Sequence, residues 1–159
     1  MSYVLIIGAK SDIAKECARV YAKNGYDLYL AGRDIKSLDG LANDIKLRSN
    51  VTVALKEFDV VDFNSHQAFY DSFDVKPLGT IVVSGYMAEQ KDAQNDWEKS
   101  LNTINVNYTG VVSILNIIAN DYEKNKNGFI VGISSVAGDR GRKANYIYGS
   151  SKAAFSTYL

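Results

Sequence analysis

Near the end of the chain a phenol and an amine stand one helical turn apart, in Tyr148-Gly149-Ser150-Ser151-Lys152. Residues at i and i+4 share a helix face, so the two side chains can meet. A neighbouring ammonium favours the phenolate, letting Tyr148 give and retake a proton below the ordinary phenol pKa of about 10. The same spacing also describes a common surface pair. Thirteen residues before Tyr148, the apolar run Phe129 to Ile133 ends in the hydroxyls of Ser134-Ser135. Asn107 lies among Ile104, Val106, Val111 and Val112, where a polar side chain needs a buried partner or an exposed face.

A second constellation would hold phosphate. The β-branched run Val4 to Ile7 stops at Gly8, and Gly8-Ala9-Lys10-Ser11-Asp12-Ile13-Ala14 leads into a helical pattern. Gly8 permits a tight turn, and small residues let backbone approach a pyrophosphate at a helix N-terminus. Ala14 suits close packing of helix on strand. A carboxylate beside a phosphate is repulsive, so Asp12 reads as an N-cap. The second apolar run ends in Gly32-Arg33-Asp34. An acid at that strand end would bind a ribose 2′-hydroxyl, whereas an arginine suits a 2′-phosphate. With Gly32 at the end, Arg33 and nearby Lys10 favour NADP over the alternative, NAD. Asp59-Val60, closing the third run, offers a carboxylate to an adenine. Each of these has a plainer reading: a structural turn, a solvated charge, a turn aspartate.

The elements that must position these residues alternate. Strands are expected at Val4–Ile7, Tyr26–Ala31, Val51–Phe58, Thr80–Val83 and Phe129–Ile133. Helices are expected at Asp12–Asn24, Ile35–Arg48, around Asn64–Phe73, at Asp96–Lys124, and from Tyr146 to the terminus. In the first helix Ile13, Cys17, Val20 and Tyr21 share an apolar face, and Gly25 suits its C-terminal stop. Continuous apolar strands alternating with helices predict a doubly wound parallel α/β sheet covered on both faces. Ligands then bind beyond the carboxyl ends of the strands, where strand order reverses. Leu159 falls inside the last helix with no strand after it, so the chain is expected to be a fragment.

Composition narrows the class. The 159 residues are 47% hydrophobic and 23% charged, with 18 basic against 18 acidic, which fits one globular domain with a real core. Zero net charge argues against a nucleic-acid partner. No apolar run nears the ~20 residues that span a bilayer, and the N-terminus lacks a signal-peptide pattern. A single cysteine, Cys17, rules out an intrachain disulfide; a cytoplasmic setting is expected. His66, the one histidine, has no metal-ligand spacing around it, so no metal is expected, and it reads as a surface residue at a helix start. Cys17 reads as a buried thiol; Trp97, Tyr108 and Tyr122 read as packing residues, and Tyr86 as lining either a cleft or the surface.

Taken together, the Gly8 loop, Asp59-Val60, Val106-Asn107 with Gly110, Ile133-Ser134-Ser135-Val136-Ala137-Gly138 and Tyr148-x-x-x-Lys152 resemble the short-chain dehydrogenase/reductase family over essentially the whole chain. The Ser-to-Tyr interval resembles its compact oxidoreductase branch. The resemblance implies a single dinucleotide-binding Rossmann domain over 1–159, lacking the part that in the family follows the Tyr-x-x-x-Lys helix and completes the sheet and substrate loop. It implies hydride transfer between NADP(H) and a ketone or secondary alcohol. Tyr148 would be proton donor and acceptor. Lys152 would lower its pKa and bind the nicotinamide ribose, Ser135 would orient the substrate oxygen, and Asn107 would support a water-linked proton relay to Lys152. Cofactor contacts are implied at Gly8, Lys10, Ser11, Asp12, Ile13, Arg33, Asp59, Val60, Ser84, Gly85, Tyr148 and Lys152.

The sequence departs from the family where Asp12 and Ala14 replace loop glycines and where Val83-Ser84-Gly85-Tyr86 replaces Asn-Asn-Ala-Gly. Its Ser11-Asp12-Ile13-Ala14 loop and Gly138-Asp139-Arg140-Gly141-Arg142 stretch resemble a subgroup acting on sugar-type substrates, such as the reductase half of the decaprenylphosphoryl-ribose 2-epimerase system. Arg140, Arg142 and Lys143 are either a solvated loop or a seat for a phosphate-bearing substrate. The helices Asp96–Lys124 and Tyr148 onward are expected to pair with copies in a homodimer or tetramer. A chain of this length is expected to turn over poorly beside a full-length version. The competing class is a nucleotide-binding sensor without turnover; it has no need for Ser135, Tyr148 and Lys152 together.

Overall fold

The structure, a computed structural model, describes residues 2–159. Strands β1 (Tyr3–Ile7), β2 (Asp27–Gly32), β3 (Val53–Glu57), β4 (Gly79–Val82) and β5 (Phe129–Gly132) form one parallel sheet in the order β3-β2-β1-β4-β5. The helices are α1 (Asp12–Lys23), α2 (Asp39–Ser49), α3 (His66–Asp71), α4 (Gln90–Ala93), α5 (Trp97–Ile104), α6 (Gly110–Asn125) and α7 (Tyr146–Tyr158). Strand order reverses beside β1, whose neighbours are β2 and β4, so the doubly wound fold expected from the sequence is the fold observed.

Alternation along β1 explains why the strands read as unbroken apolar runs. Leu5 and Ile7 face α3, α6 and α7, packing with Phe69, Phe73, Ile114, Ile118 and Phe155. Val4 and Ile6 face α1 and α2, packing with Ala14, Ala18, Ala22, Ala42 and Ile45. With both faces covered, neither set can be polar. Wholly buried Leu5, Ile6, Leu28 and Leu30 each contribute about 1.5–3 kcal/mol by leaving water. No helix among the described residues is long and apolar enough to cross a membrane.

Several expectations are corrected. The core face of α1 is its alanine stripe, whose small side chains let the helix lie close to the sheet. Ile13 and Val20 are instead 53% and 58% exposed, and Cys17 is half-buried rather than buried. Asp12 is not the N-cap: Ser11 holds that position, and Asp12 sits in the first turn, paired with Lys15 at 2.8 Å. The Ile35–Arg48 helix divides into a 3₁₀ turn at Ile35–Leu38 and α2, following Asp34 in left-handed backbone at φ 53°. The Asp96–Lys124 helix is α5 and α6 joined through a π-helical turn at Asn105–Thr109. Trp97 at its start is 67% exposed rather than packed. His66 is buried beneath the chain leaving β3, its Nδ1 2.9 Å from Ser113 Oγ and its ring against Phe58. Tyr122 does pack, with its hydroxyl 2.9 Å from Thr80 Oγ1. The short α4 has too few residues to show periodicity and was not foreseen.

Candidate active site

A cleft of about 390 Å³ opens beyond the carboxyl ends of β1, β2 and β4, a size suited to a small ligand. β1 ends in Gly8, whose φ of +83° favours glycine, and a Cβ there would lie 2.7 Å from the Ser84 nitrogen. The Gly8 and Ala9 N–H groups both donate to the Ala31 carbonyl, which fixes the turn. Lys10 and Ser11 line the cleft, as do Gly32 and Arg33 from the end of β2, Asp59 and Val60 after β3, and Ser84 and Gly85 after β4. Eight residues picked out for cofactor contact from the sequence are thus gathered in one place. Asp12 and Ile13 behave differently. Their side chains line a shallow apolar groove on the outside of α1, with Cys17, Val20 and Tyr21. What they offer the cleft is the backbone of a helix start, where N–H groups have no partner within the helix.

The Val60 side of the cleft is braced from below. Gly110 lies so near the Val60 carbonyl that a Cβ would collide with it. Asp59 Oδ1 accepts from the Val61 N–H at 3.1 Å, tightening the same turn. The glycine signal was present in the sequence, but the partner fifty residues away was not.

Lys152 stands at the far side. It is 3% exposed, and Nζ donates to the Ile133 carbonyl at 3.1 Å and the Ser84 carbonyl at 3.3 Å, bridging the exits of β5 and β4. An ammonium has three hydrogens, so one is left after these bonds. No carboxylate pairs with it among the described residues, and burial lowers its pKa from the usual lysine value. Its Nζ lies 6.0 Å from the Tyr148 ring centre, on the same face of α7. A Cβ on Gly85 would lie 3.9 Å from that Nζ and 3.5 Å from Asn107 Oδ1, so the glycine keeps open the space beside both.

Ser135 ends the exit from β5 in extended backbone, and its Oγ accepts from the Ala137 N–H at 3.1 Å, which leaves its own hydrogen to donate. Ser134 Oγ donates to the Lys152 carbonyl at 3.1 Å and lies 2.6 Å from Ser156 Oγ, tying the same exit to α7. Among the described residues no hydrogen bond links the Tyr148 hydroxyl to Ser135 or Lys152. The Lys152 amine and the Tyr148 ring are neighbours on α7.

Asn107 is wholly buried in the π turn. Nδ2 donates to the Tyr86 carbonyl at 2.6 Å and the Thr103 carbonyl at 2.7 Å, and Oδ1 accepts from the Tyr86 N–H at 3.0 Å. Both amide hydrogens are taken, so its side chain serves the site by clamping Tyr86 backbone and, with it, Ser84 and Gly85. Sequence reasoning also missed Gln90. Its Oε1 accepts from the Ile147 N–H at 3.2 Å and pins the start of α7, one residue before Tyr148.

Fold and site together define a dinucleotide-type α/β domain with a tyrosine–lysine pair at the end of its switch-point cleft. Residues 2–159 match the family model described as short chain dehydrogenase, and the chain belongs to that family. An uncharacterised oxidoreductase of Mycobacterium tuberculosis is 33% identical over 158 residues, covering 98% of this chain and 63% of the relative. Sulfoacetaldehyde reductase 2 of Chromohalobacter salexigens is 30% identical over 94% of this chain and 61% of its own length. Among solved structures, a short-chain dehydrogenase from Sphingobium yanoikuyae in complex with NADPH is similar at TM-score 0.87 and 29% identity, over 97% of this chain and 61% of that one. The chain thus spans less than two thirds of the length of these relatives.

Proposed function

We propose that the protein is an oxidoreductase that uses NADP(H) to interconvert a ketone and a secondary alcohol. The observation that carries the reading is the buried Lys152 ammonium, held between the exits of β4 and β5 one turn from Tyr148 and beside the space that Gly85 leaves open. The cleft fits the cofactor's adenosine and phosphate end: the Gly8 turn leaves no room for a side chain, and the start of α1 supplies N–H groups. When bound, the nicotinamide cofactor supplies or accepts the hydride.

The chain's own groups handle the proton. Tyr148 protonates the substrate oxygen on reduction and takes the hydroxyl proton on oxidation. Lys152 places a positive charge near the phenol and offers its remaining N–H to the nicotinamide ribose. Ser135 donates its free hydrogen to the same substrate oxygen. Asn107 is a positioning residue, holding the Ser84–Tyr86 segment that receives Lys152. Arg33 and Lys10 meet a 2′-phosphate, which favours NADP over NAD.

The substrate is read as a small molecule carrying an anionic group, which suits a sugar phosphate. Arg140, Arg142 and Lys143 lie exposed in the segment leading to α7, with no ion pair among the described residues, and a relative is named for a sulfonated aldehyde. Leu101, Ile104, Val112 and Ile117 remain half-exposed on α5 and α6, and with α7 they form the surface through which a homodimer or tetramer would assemble.

The test is Tyr148→Phe in the whole protein, with cofactor binding followed by fluorescence and turnover by nicotinamide absorbance. Binding is retained, and turnover falls by about 10²–10⁴-fold, the usual contribution of a placed proton donor. Unchanged turnover removes Tyr148 from the chemistry.

A further inference from the structure

His66 is 1% exposed, and nothing in the proton and hydride chemistry above uses it. Its ring lies beneath the chain leaving β3, with its centre 5.1 Å from that of the Phe58 ring and 6.0 Å from that of Phe63. The carbonyls of Asp59 and Val60 are close by. Phe58, Asp59 and Val60 all line the cleft. The His66 Nδ1 stands 2.9 Å from the Ser113 hydroxyl oxygen on α6, while Nε2 is buried without a hydrogen-bond partner among the described residues. A side chain placed only to fill this space would be apolar, because a buried nitrogen without a hydrogen bond costs stability that a leucine would not. The polarity at this position therefore answers to Ser113.

Ser113 comes three residues after Gly110, so the two share a face of α6. Gly110 meets the Val60 carbonyl directly, at a distance no side chain would allow. Ser113 reaches the same turn through the imidazole. The exit of β3 is thus held against α6 at two points, one a backbone contact and the other a side-chain bridge. The turn also closes on itself, since Asp59 Oδ1 accepts from the Val61 N–H and the Asp59 carbonyl from the Asp62 N–H, both at 3.1 Å. Those internal bonds fix its shape but not where it stands relative to the cleft. We propose that His66, acting through Ser113, is a positioning residue that sets the place of the Asp59–Val60 turn and with it the affinity for the cofactor's adenosine. This rests on the reading of the cleft as the seat of that adenosine.

The experiment measures binding of adenosine 5′-diphosphate by calorimetry, alone and in competition with NADPH. The proteins are the wild-type chain, His66→Leu, His66→Gln, Ser113→Ala and the double variant His66→Leu with Ser113→Ala. Thermal melts establish that each is folded at the temperature of the measurement. His66→Leu and Ser113→Ala each weaken the diphosphate about three- to tenfold, the scale of one lost hydrogen bond. The double variant is no weaker than either single one, because both remove the same bridge. His66→Gln, whose amide still reaches Ser113, stays within about twofold of wild type. Leucine binding as well as histidine shows a ring that only fills space, and overturns the proposal. So does glutamine losing as much as leucine, or losses that add in the double variant. The wild-type chain separates the two ideas. Diphosphate that competes with NADPH keeps the adenosine reading whatever His66 does. If wild type binds no diphosphate, or NADPH fails to displace it, that reading falls and takes this proposal with it.

Discussion

At the scale of single residues, His66 shows how burial turns an unremarkable side chain into a source of pH dependence. Burial lowers its pKa from 6.5, opposed by the nearby Asp59 and Val60 carbonyls and the charges of Asp62 and Asp59, and its Nε2 has no hydrogen-bond partner. An unfolded chain takes up this proton near the ordinary value, whereas the folded one resists until a lower pH. The contribution is therefore complete above the ordinary value and shrinks as pH falls toward the lowered one. Denaturant midpoints should drop as pH falls below the ordinary histidine value of 6.5, and His66→Gln, which can still reach Ser113, should flatten that slope. An unchanged slope in the variant would remove His66 as its source. The shared helix of Tyr148 and Lys152 and the strand-exit position of Ser135 were legible from sequence because helical spacing and a strand end are local properties. The burial of His66 was not, because Ser113 and Phe58, which enclose it, belong to other elements.

At the scale of elements, the widened turn between α5 and α6 carries the most consequence. A π turn fits one extra residue into the helix and here sets Asn107 inward, against the segment after β4. The full extent of this helix was readable from its apolar positions, but the inserted residue was not, since the spacing on either side remains helical. Asn107→Ala removes three hydrogen bonds to main chain and leaves the Tyr86 N–H and carbonyl without them. The cost should be about 2–3 kcal/mol, the scale of leaving buried polar groups unpaired. Denaturant unfolding checks the loss, and limited proteolysis should show new cutting between Ser84 and Gln90. Wild-type resistance at that segment would mean the clamp is not what holds it. Gly110 in the same turn was noticed as a glycine in an apolar helix, yet its reason, the Val60 carbonyl, appears only once the elements are packed.

At the scale of the whole molecule, among the described residues β5 pairs with β4 alone, and Val131 on it is 39% exposed. An unpaired strand is a template for another chain. The 159-residue chain should associate as concentration rises, and Val131→Lys should reduce this in light scattering. Identical scattering from the two would place the contact elsewhere. That the sheet is parallel and doubly wound could be read from alternating runs, because coverage on both faces leaves a compositional mark on every strand. The strand order has a different kind of consequence, in time rather than in space. A ribosome that has released the chain as far as Val60 has already delivered three adjacent strands, along with Gly8, Lys10, Arg33 and Asp59. Synthesis runs from that end, and units assemble as they emerge. The β1–β3 side of the cleft can therefore take shape while Tyr148 and Lys152 are still unmade, with one flank of β1 bare until Gly79–Val82 arrives to fill it.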